Sequence, residues 1–123
     1  MIRVVQLGSP RAKGEGLRLG TVRRPPRGVK KSDYARRDYY DAWLPELAPS
    51  AKLIAGAQKN WESFARAYRR EMRAPAAERL LALLAGLSHH ADFSVGCYCE
   101  REERCHRSIL RRLLIEKGAE ITG

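Results

Sequence analysis

The stretch Asp92-Phe93-Ser94-Val95-Gly96-Cys97-Tyr98-Cys99, followed after five residues by Cys105-His106-Arg107-Ser108-Ile109-Leu110-Arg111-Arg112-Leu113-Leu114, decides the fold. The first part is short, uncharged after its acid and rich in β-formers, so it reads as a strand. In the second part Ile109, Leu110, Leu113 and Leu114 recur at helical spacing, which predicts a helix from about Cys105 to Lys117. Gly118 is placed to end that helix. Just upstream, Pro75 suits the first turn of another helix, one that buries Leu80, Leu81, Leu84 and Leu87. Strand, short loop, helix and strand in this compass make a βαβ unit, with parallel strands and a right-handed connection. The expectation is one α/β domain over residues 1–123, a small and mostly parallel sheet covered by helices in a Rossmann-like layered sandwich.

Further out, Ile2 to Leu7 reads as a first strand and Leu17 to Val22 as a second. Between them, residues 8–16 are rich in Gly, Lys and Arg and read as a mobile basic loop. Pro25-Pro26-Arg27-Gly28 breaks regular structure. Residues 32–47 carry Tyr34, Tyr39, Tyr40, Trp43, Leu44 and Leu47, which predicts a short helix with an aromatic side, ended by Pro45 and Pro49. Trp61, Phe64, Ala65, Tyr68 and Met72 fall on one helical stripe, with Asn60 as its cap, and the stripe is expected in the core. Residues 119–122 read as a further strand.

The chain has 123 residues, enough for one core and too few for two. A hydrophobic content of 44% argues against global disorder. No apolar run approaches the ~18 residues of a membrane span, and the start lacks a signal peptide's apolar region, so no membrane partner and a cytoplasmic location are expected. Three cysteines make no disulfide framework. The net charge is +10, and it is uneven: residues 1–31 hold nine basic residues and one acid. Such a field attracts phosphates, which makes nucleic acid a possible partner. Residues 1–31 contain no aromatic, however, so this segment offers no stacking platform.

The chemistry concentrates where the last strand meets the last helix. In α/β sheets, ligands bind beyond the carboxyl ends of strands, where helix N-termini present unpaired N–H groups. Arg107 adds a charge and Ser108 a hydroxyl, so this turn reads as an anion pocket. If Arg23 to Gly28 leaves a parallel strand on the same edge, Arg23 and Arg27 face Arg107 across one cleft, and Gly28 lets the backbone approach the ligand. Asp41 is a candidate to hold an arginine of that cleft. The expected partner is a small anion bearing phosphate or carboxylate, with no cofactor. An alternative gives Cys105 a nucleophilic role, its thiol activated at the helix N-terminus, with His106 as acid or base. The spacing Cys105-x5-Arg111 does not make a phosphatase loop, because the five residues between lack glycine and look helical. Cys97, Cys99, Cys105 and His106 offer four zinc ligands, but a Cys-x-Cys on a strand and an adjacent Cys-His pair are not expected to converge. No metal is therefore expected, and Cys97 and Cys99 read as buried strand residues. The oligomeric state is not readable.

Several strings resemble one family. They are Pro26-Arg27-Gly28-Val29, Asp41-Ala42-Trp43-Leu44-Pro45-Glu46-Leu47-Ala48-Pro49-Ser50, Trp61-x-x-Phe64-x-x-x-Tyr68, Cys97-Tyr98-Cys99-Glu100 and Cys105-His106-Arg107-Ser108. Together, over about residues 17–114, they are similar to the YeaO-like family, domain of unknown function 488. The resemblance implies a small α/β protein and brings no activity with it. It maps the family's recurring Arg, Asp and Cys-His-Arg elements onto Arg23, Arg27, Asp41, Cys105, His106 and Arg107. The usual Asp-Arg-Leu-Trp-Pro-Arg-Gly string reads here Val22-Arg23-Arg24-Pro25-Pro26-Arg27-Gly28, so an acid and an aromatic are replaced by Val22 and Pro25.

Overall fold

A computed structural model describes residues 1–56 and 60–122. Four strands form one sheet: β1 (Ile2–Gln6), β2 (Leu17–Gly20), β3 (Ala42–Trp43) and β4 (Phe93–Cys97). Four helices accompany it: α1 (Ala51–Gly56), α2 (Trp61–Glu71), α3 (Pro75–Leu87) and α4 (His106–Glu116). The strand order is β1-β4-β2-β3 and every pairing is parallel, in keeping with the mostly parallel sheet that the sequence predicts. β4 lies between β1 and β2, with Val95 opposite both Val4 and Leu19. All five β4 residues are buried, which explains a strand without charge. The expected last strand is reduced to a bridge between Ile2 and Ile121.

Successive strand residues point to opposite faces. On one face Ile2, Phe93 and Val95 pack with Phe64, Tyr68 and Met72 of the α2 region, Leu81 and Leu84 of α3, and Ile109, Leu110 and Leu114 of α4. Tyr68 is fully buried and donates its hydroxyl to the Leu47 carbonyl at 2.6 Å, satisfying its one polar atom. Trp61 departs from the expected core stripe: it is half-buried, stacked on Phe64 at 5.3 Å. Leu87 is also exposed, since it lies past the face that α3 turns inward.

The other face, bearing Arg18, Gly20, Ser94 and Gly96, is covered by residues 8–16 and 34–41, which contain no α-helix. Arg18 is fully buried there. Its guanidinium donates to Glu15 at 2.7 and 3.1 Å and to the carbonyls of Ser9 and Asp38 at 2.7 and 2.6 Å. Glu15 also accepts from Ser94 Oγ and from the Ala12 N–H. Residues 8–16, expected as a mobile loop, are thus tied to the sheet, and Arg11 ties them further to Asp38 and Asp41. Gly16 makes this possible: at φ +80° its backbone passes so close to the Asp92 carbonyl that a Cβ would lie 1.9 Å from the oxygen.

The helix expected over 32–47 does not form. Instead a 3-10 turn at Lys31–Asp33, the two-residue strand β3 and a second 3-10 turn at Pro45–Leu47 span the segment. Asp38 takes the left-handed conformation, φ 63°, which stops a helix. Its carbonyl is captured by Arg18 and by the Gly8 N–H. Tertiary bonds therefore override the aromatic periodicity. Gly20 leaves the space into which Tyr40 packs.

Burial pushes the Glu15 carboxyl up, but hydrogen bonds from Arg18, Ser94 and the Ala12 N–H together hold it down to about 2, against an ordinary 4.5. Its stabilisation is therefore present above pH 4.5 and is lost as the pH falls through about 2. Glu15→Gln, which leaves the Arg18 charge buried and unpaired, is expected to cost about 3–5 kcal/mol at neutral pH. The gap from the parent should close as acid protonates Glu15. Thermal melts of both proteins across that range check this, and a gap independent of pH would contradict it.

Candidate functional site

Because every strand runs the same way, the carboxyl ends of β2 and β4 open on one edge. There a cleft of about 1030 Å³ lies between the N-terminal ends of α2 and α4. Val22, Arg23 and Arg24 enter it after β2, Cys97, Tyr98 and Cys99 after β4, Trp61 and Phe64 from α2, and Arg104, Cys105 and His106 from the start of α4. Tyr98 joins the two strand exits by donating its hydroxyl to the Arg24 carbonyl at 2.8 Å.

The expected residues fall into two groups. Arg23, Cys105 and His106 line the cleft; Arg27, Gly28, Arg107, Ser108 and Asp41 do not. Arg27 is exposed outside the lining, so it does not face Arg107 across the cleft. Gly28 has φ +74° and open space where a Cβ would stand, so it serves a surface turn rather than the approach of a ligand. Asp41 accepts from Arg11 and from the Arg18 N–H, holding the 8–16 segment and no arginine of the cleft. Ser108 donates its hydroxyl to the Cys105 carbonyl one turn back. Arg23 is engaged as well: it donates to the carbonyls of Pro45, Ala48 and Pro49 and clamps the segment leading into α1.

Arg107 is 4% exposed. It donates to the Cys99 carbonyl at 2.7 Å, its Nε has no partner, and it has no carboxylate partner among the described residues. The other deeply buried arginine, Arg18, is neutralised by Glu15, so the two differ in kind. The rim adds Arg24 and Arg104, both exposed. Among the lining residues Glu62 is the one carboxylate.

The thiols are closer than their spacing suggests. Cys97 ends β4, Cys99 lies two residues beyond it, and Cys105 is the N-cap of α4. Their three sulfurs all lie within 4.8 Å of one another, with Cys97 and Cys105 at 2.7 Å. The expectation that these ligands would not converge is thus corrected for the three cysteines. It fails because Cys99 leaves the strand, which frees its side chain from the alternation, and because the loop from 100 to 104 returns Cys105 over the strand end. Cys99 is exposed rather than buried, while Cys97 and Cys105 are each 2% exposed.

Hydrogen bonds from Cys105 and Cys97, assisted by the nearby His106 and Arg107, hold the Cys99 thiol well below its ordinary value. Its contacts with Cys105 and Cys99, together with burial, push Cys97 up. Cys105 is lowered by Cys97 but raised by Cys99 and by burial, and the net direction is upward. Charge in this coupled group therefore belongs on its exposed member. Burial lowers His106, with partial compensation from the Thr21 carbonyl that its Nε2 meets at 2.7 Å. A carbonyl only accepts, so Nε2 carries the proton and Nδ1 is bare toward the Cys105 sulfur, 3.8 Å away.

Sequence reasoning missed Arg24, Arg104, Tyr98 and the exposure of Cys99. The available signal for Arg104 was its place immediately before the helix cap. A family model described as "Active DUF488-N3 subclade" matches residues 2–118. No curated protein and no solved structure matches the chain.

In reduced, chelator-treated protein at neutral pH, iodoacetamide is expected to label Cys99 well ahead of Cys97 and Cys105. Peptide mapping of partially labelled protein checks the order. Labelling of Cys105 first would return the reactive role to the helix cap.

Proposed function

The chain belongs to the DUF488 family, and on that premise we propose that it binds a small phosphate- or carboxylate-bearing molecule with an apolar or planar body in the cleft at the carboxyl edge. The observation that carries this reading is the charge balance of the cleft. Arg23, Arg24 and Arg104 line it against Glu62 as the one lining carboxylate, and Arg107 is bonded to the carbonyl of Cys99 beside it. The α4 N-terminus, capped at Cys105, adds partial positive charge. The cleft is far larger than one phosphate, and Val22, Ile54, Trp61, Phe64 and Tyr98 supply apolar and aromatic wall. Arg24 and Arg104, exposed and without a side-chain hydrogen bond among the described residues, are the donors of the rim, and Trp61 is the surface on which a planar body would lie.

A second reading follows from one position. Cys99 places a thiol on the cleft surface, so chemistry on the bound molecule would fall to Cys99 rather than to Cys105 and His106. Nucleic-acid binding through residues 1–31 has less support. Of the nine basic residues there, Arg11, Arg18 and Arg23 are spent on internal bonds.

Calorimetry with adenosine monophosphate and with inorganic phosphate tests the proposal. The double variant Arg24→Ala/Arg104→Ala should weaken the nucleotide at least ~10-fold, the effect of losing charge-assisted bonds of ~1.5 kcal/mol or more. Trp61→Ala should weaken the nucleotide and leave inorganic phosphate unchanged. Nucleotide affinity indifferent to the arginine pair would sink the reading.

A further inference from the structure

We propose that Cys97, Cys99 and Cys105 bind one thiophilic divalent cation, zinc, as a three-thiolate site whose fourth position opens into the cleft. The first ground is geometric. Among the described residues these three are the one group of cysteine, histidine and acidic side chains close enough to hold an ion, with all sulfurs within 4.8 Å. Tetrahedral zinc with Zn–S bonds of ~2.3 Å needs sulfurs ~3.8 Å apart. All three sulfurs already lie within 4.8 Å of one another, and loading requires those of Cys97 and Cys105 to part from 2.7 Å. The ligands come from a strand end and a helix cap, two rigid anchors, with the more adaptable Cys99 between them. A donor set of three sulfurs selects zinc over the hard cations magnesium and calcium.

The second ground is charge, and it is independent of the first. Arg107 is nearly fully buried, bonded to the backbone of one of these cysteines, and its Nε is without a partner. No carboxylate among the described residues contacts this guanidinium, Glu102 acting on it only at longer range, and a buried charge with an open hydrogen-bond donor is costly. Zinc with three thiolates carries one net negative charge beside it, which supplies the missing partner. His106 is not among the converging ligands, which are the three cysteines alone. The fourth position therefore falls to the cleft, because all three cysteines line it. Which molecule takes that position rests on the anion-binding reading above; the metal site itself does not.

Binding forms three Zn–S bonds and displaces whatever protons the three sulfurs hold, at the least those of Cys97 and Cys105, so affinity must rise with pH. The test uses full-length protein with three reduced thiols, titrated with cobalt(II) and then zinc(II) in a weakly coordinating buffer free of phosphate. The expected result is one equivalent of cobalt, with sulfur-to-cobalt charge-transfer bands and intense visible bands of tetrahedral cobalt, displaced by zinc. Cys99→Ser, at an exposed position, should retain its melting transition and weaken zinc by more than the ~10–100-fold typical of losing a supporting partner. Arg107→Ala should fall within that range and keep the one-to-one stoichiometry. In the parent protein one zinc should protect all three thiols from alkylation. Absence of the charge-transfer bands, or zinc affinity unchanged in Cys99→Ser, would overturn the site. Loss of zinc binding with adenosine monophosphate binding intact would overturn this inference alone. Zinc binding without any nucleotide or phosphate binding would uphold it and remove only the anion reading.

Discussion

The buried pair of Arg18 and Glu15 holds together the half of this protein that has no helix. A parallel sheet needs cover on both faces. Here α2, α3 and α4 cover one face with apolar side chains, while the other is roofed by two stretches of irregular chain. Irregular chain carries backbone groups that must be satisfied when it lies against a core. Arg18 meets that need from inside the sheet. It takes the carbonyls of Ser9 and Asp38 along with the Glu15 carboxylate, and it thereby fixes both covering segments at once. Such a pair is expensive to bury and stabilises only when fully bonded, as it is here.

With that face closed, the parallel direction of the strands collects the side chains of the cleft at one edge. β2 and β4 deliver Arg23, Arg24, Cys97 and Cys99 to the same place, and α4 begins there with Cys105. The two buried arginines then mark a division of labour. Arg18 is paired with a carboxylate within the fold, whereas Arg107 has no carboxylate in contact among the described residues and an Nε without a partner. The open Nε of Arg107 lies beside the cleft and the cluster of sulfurs, whereas Arg18 is bonded wholly within the scaffold.

Local signals carried the fold wherever local structure and packing agree. The apolar run of β4, the spacing of Ile109, Leu110, Leu113 and Leu114, and the cap at Asn60 each appear where the sequence places them. They disagree over 32–47, where aromatic spacing suggested a helix. The segment instead bends at Asp38 to reach Arg18, a partner twenty residues away that no local pattern reveals. The same holds for Trp61, whose helical phase matches Phe64 and Tyr68 but whose position at the start of α2 puts it at the cleft.

The site divides along similar lines. That the strand-to-helix junction around Cys105 would border an opening followed from the sequence alone, because a cleft forms beyond the carboxyl ends of parallel strands, where the next helix begins. Which side chains meet there did not follow. Arg27 and Arg107 share charge and a junction position, yet one faces solvent and the other is buried, since burial depends on what the remaining chain lays over each. Cys97, Cys99 and Cys105 converge because a five-residue loop folds back over a strand end. Loop closure of that kind is set by tertiary contacts and not by residue spacing.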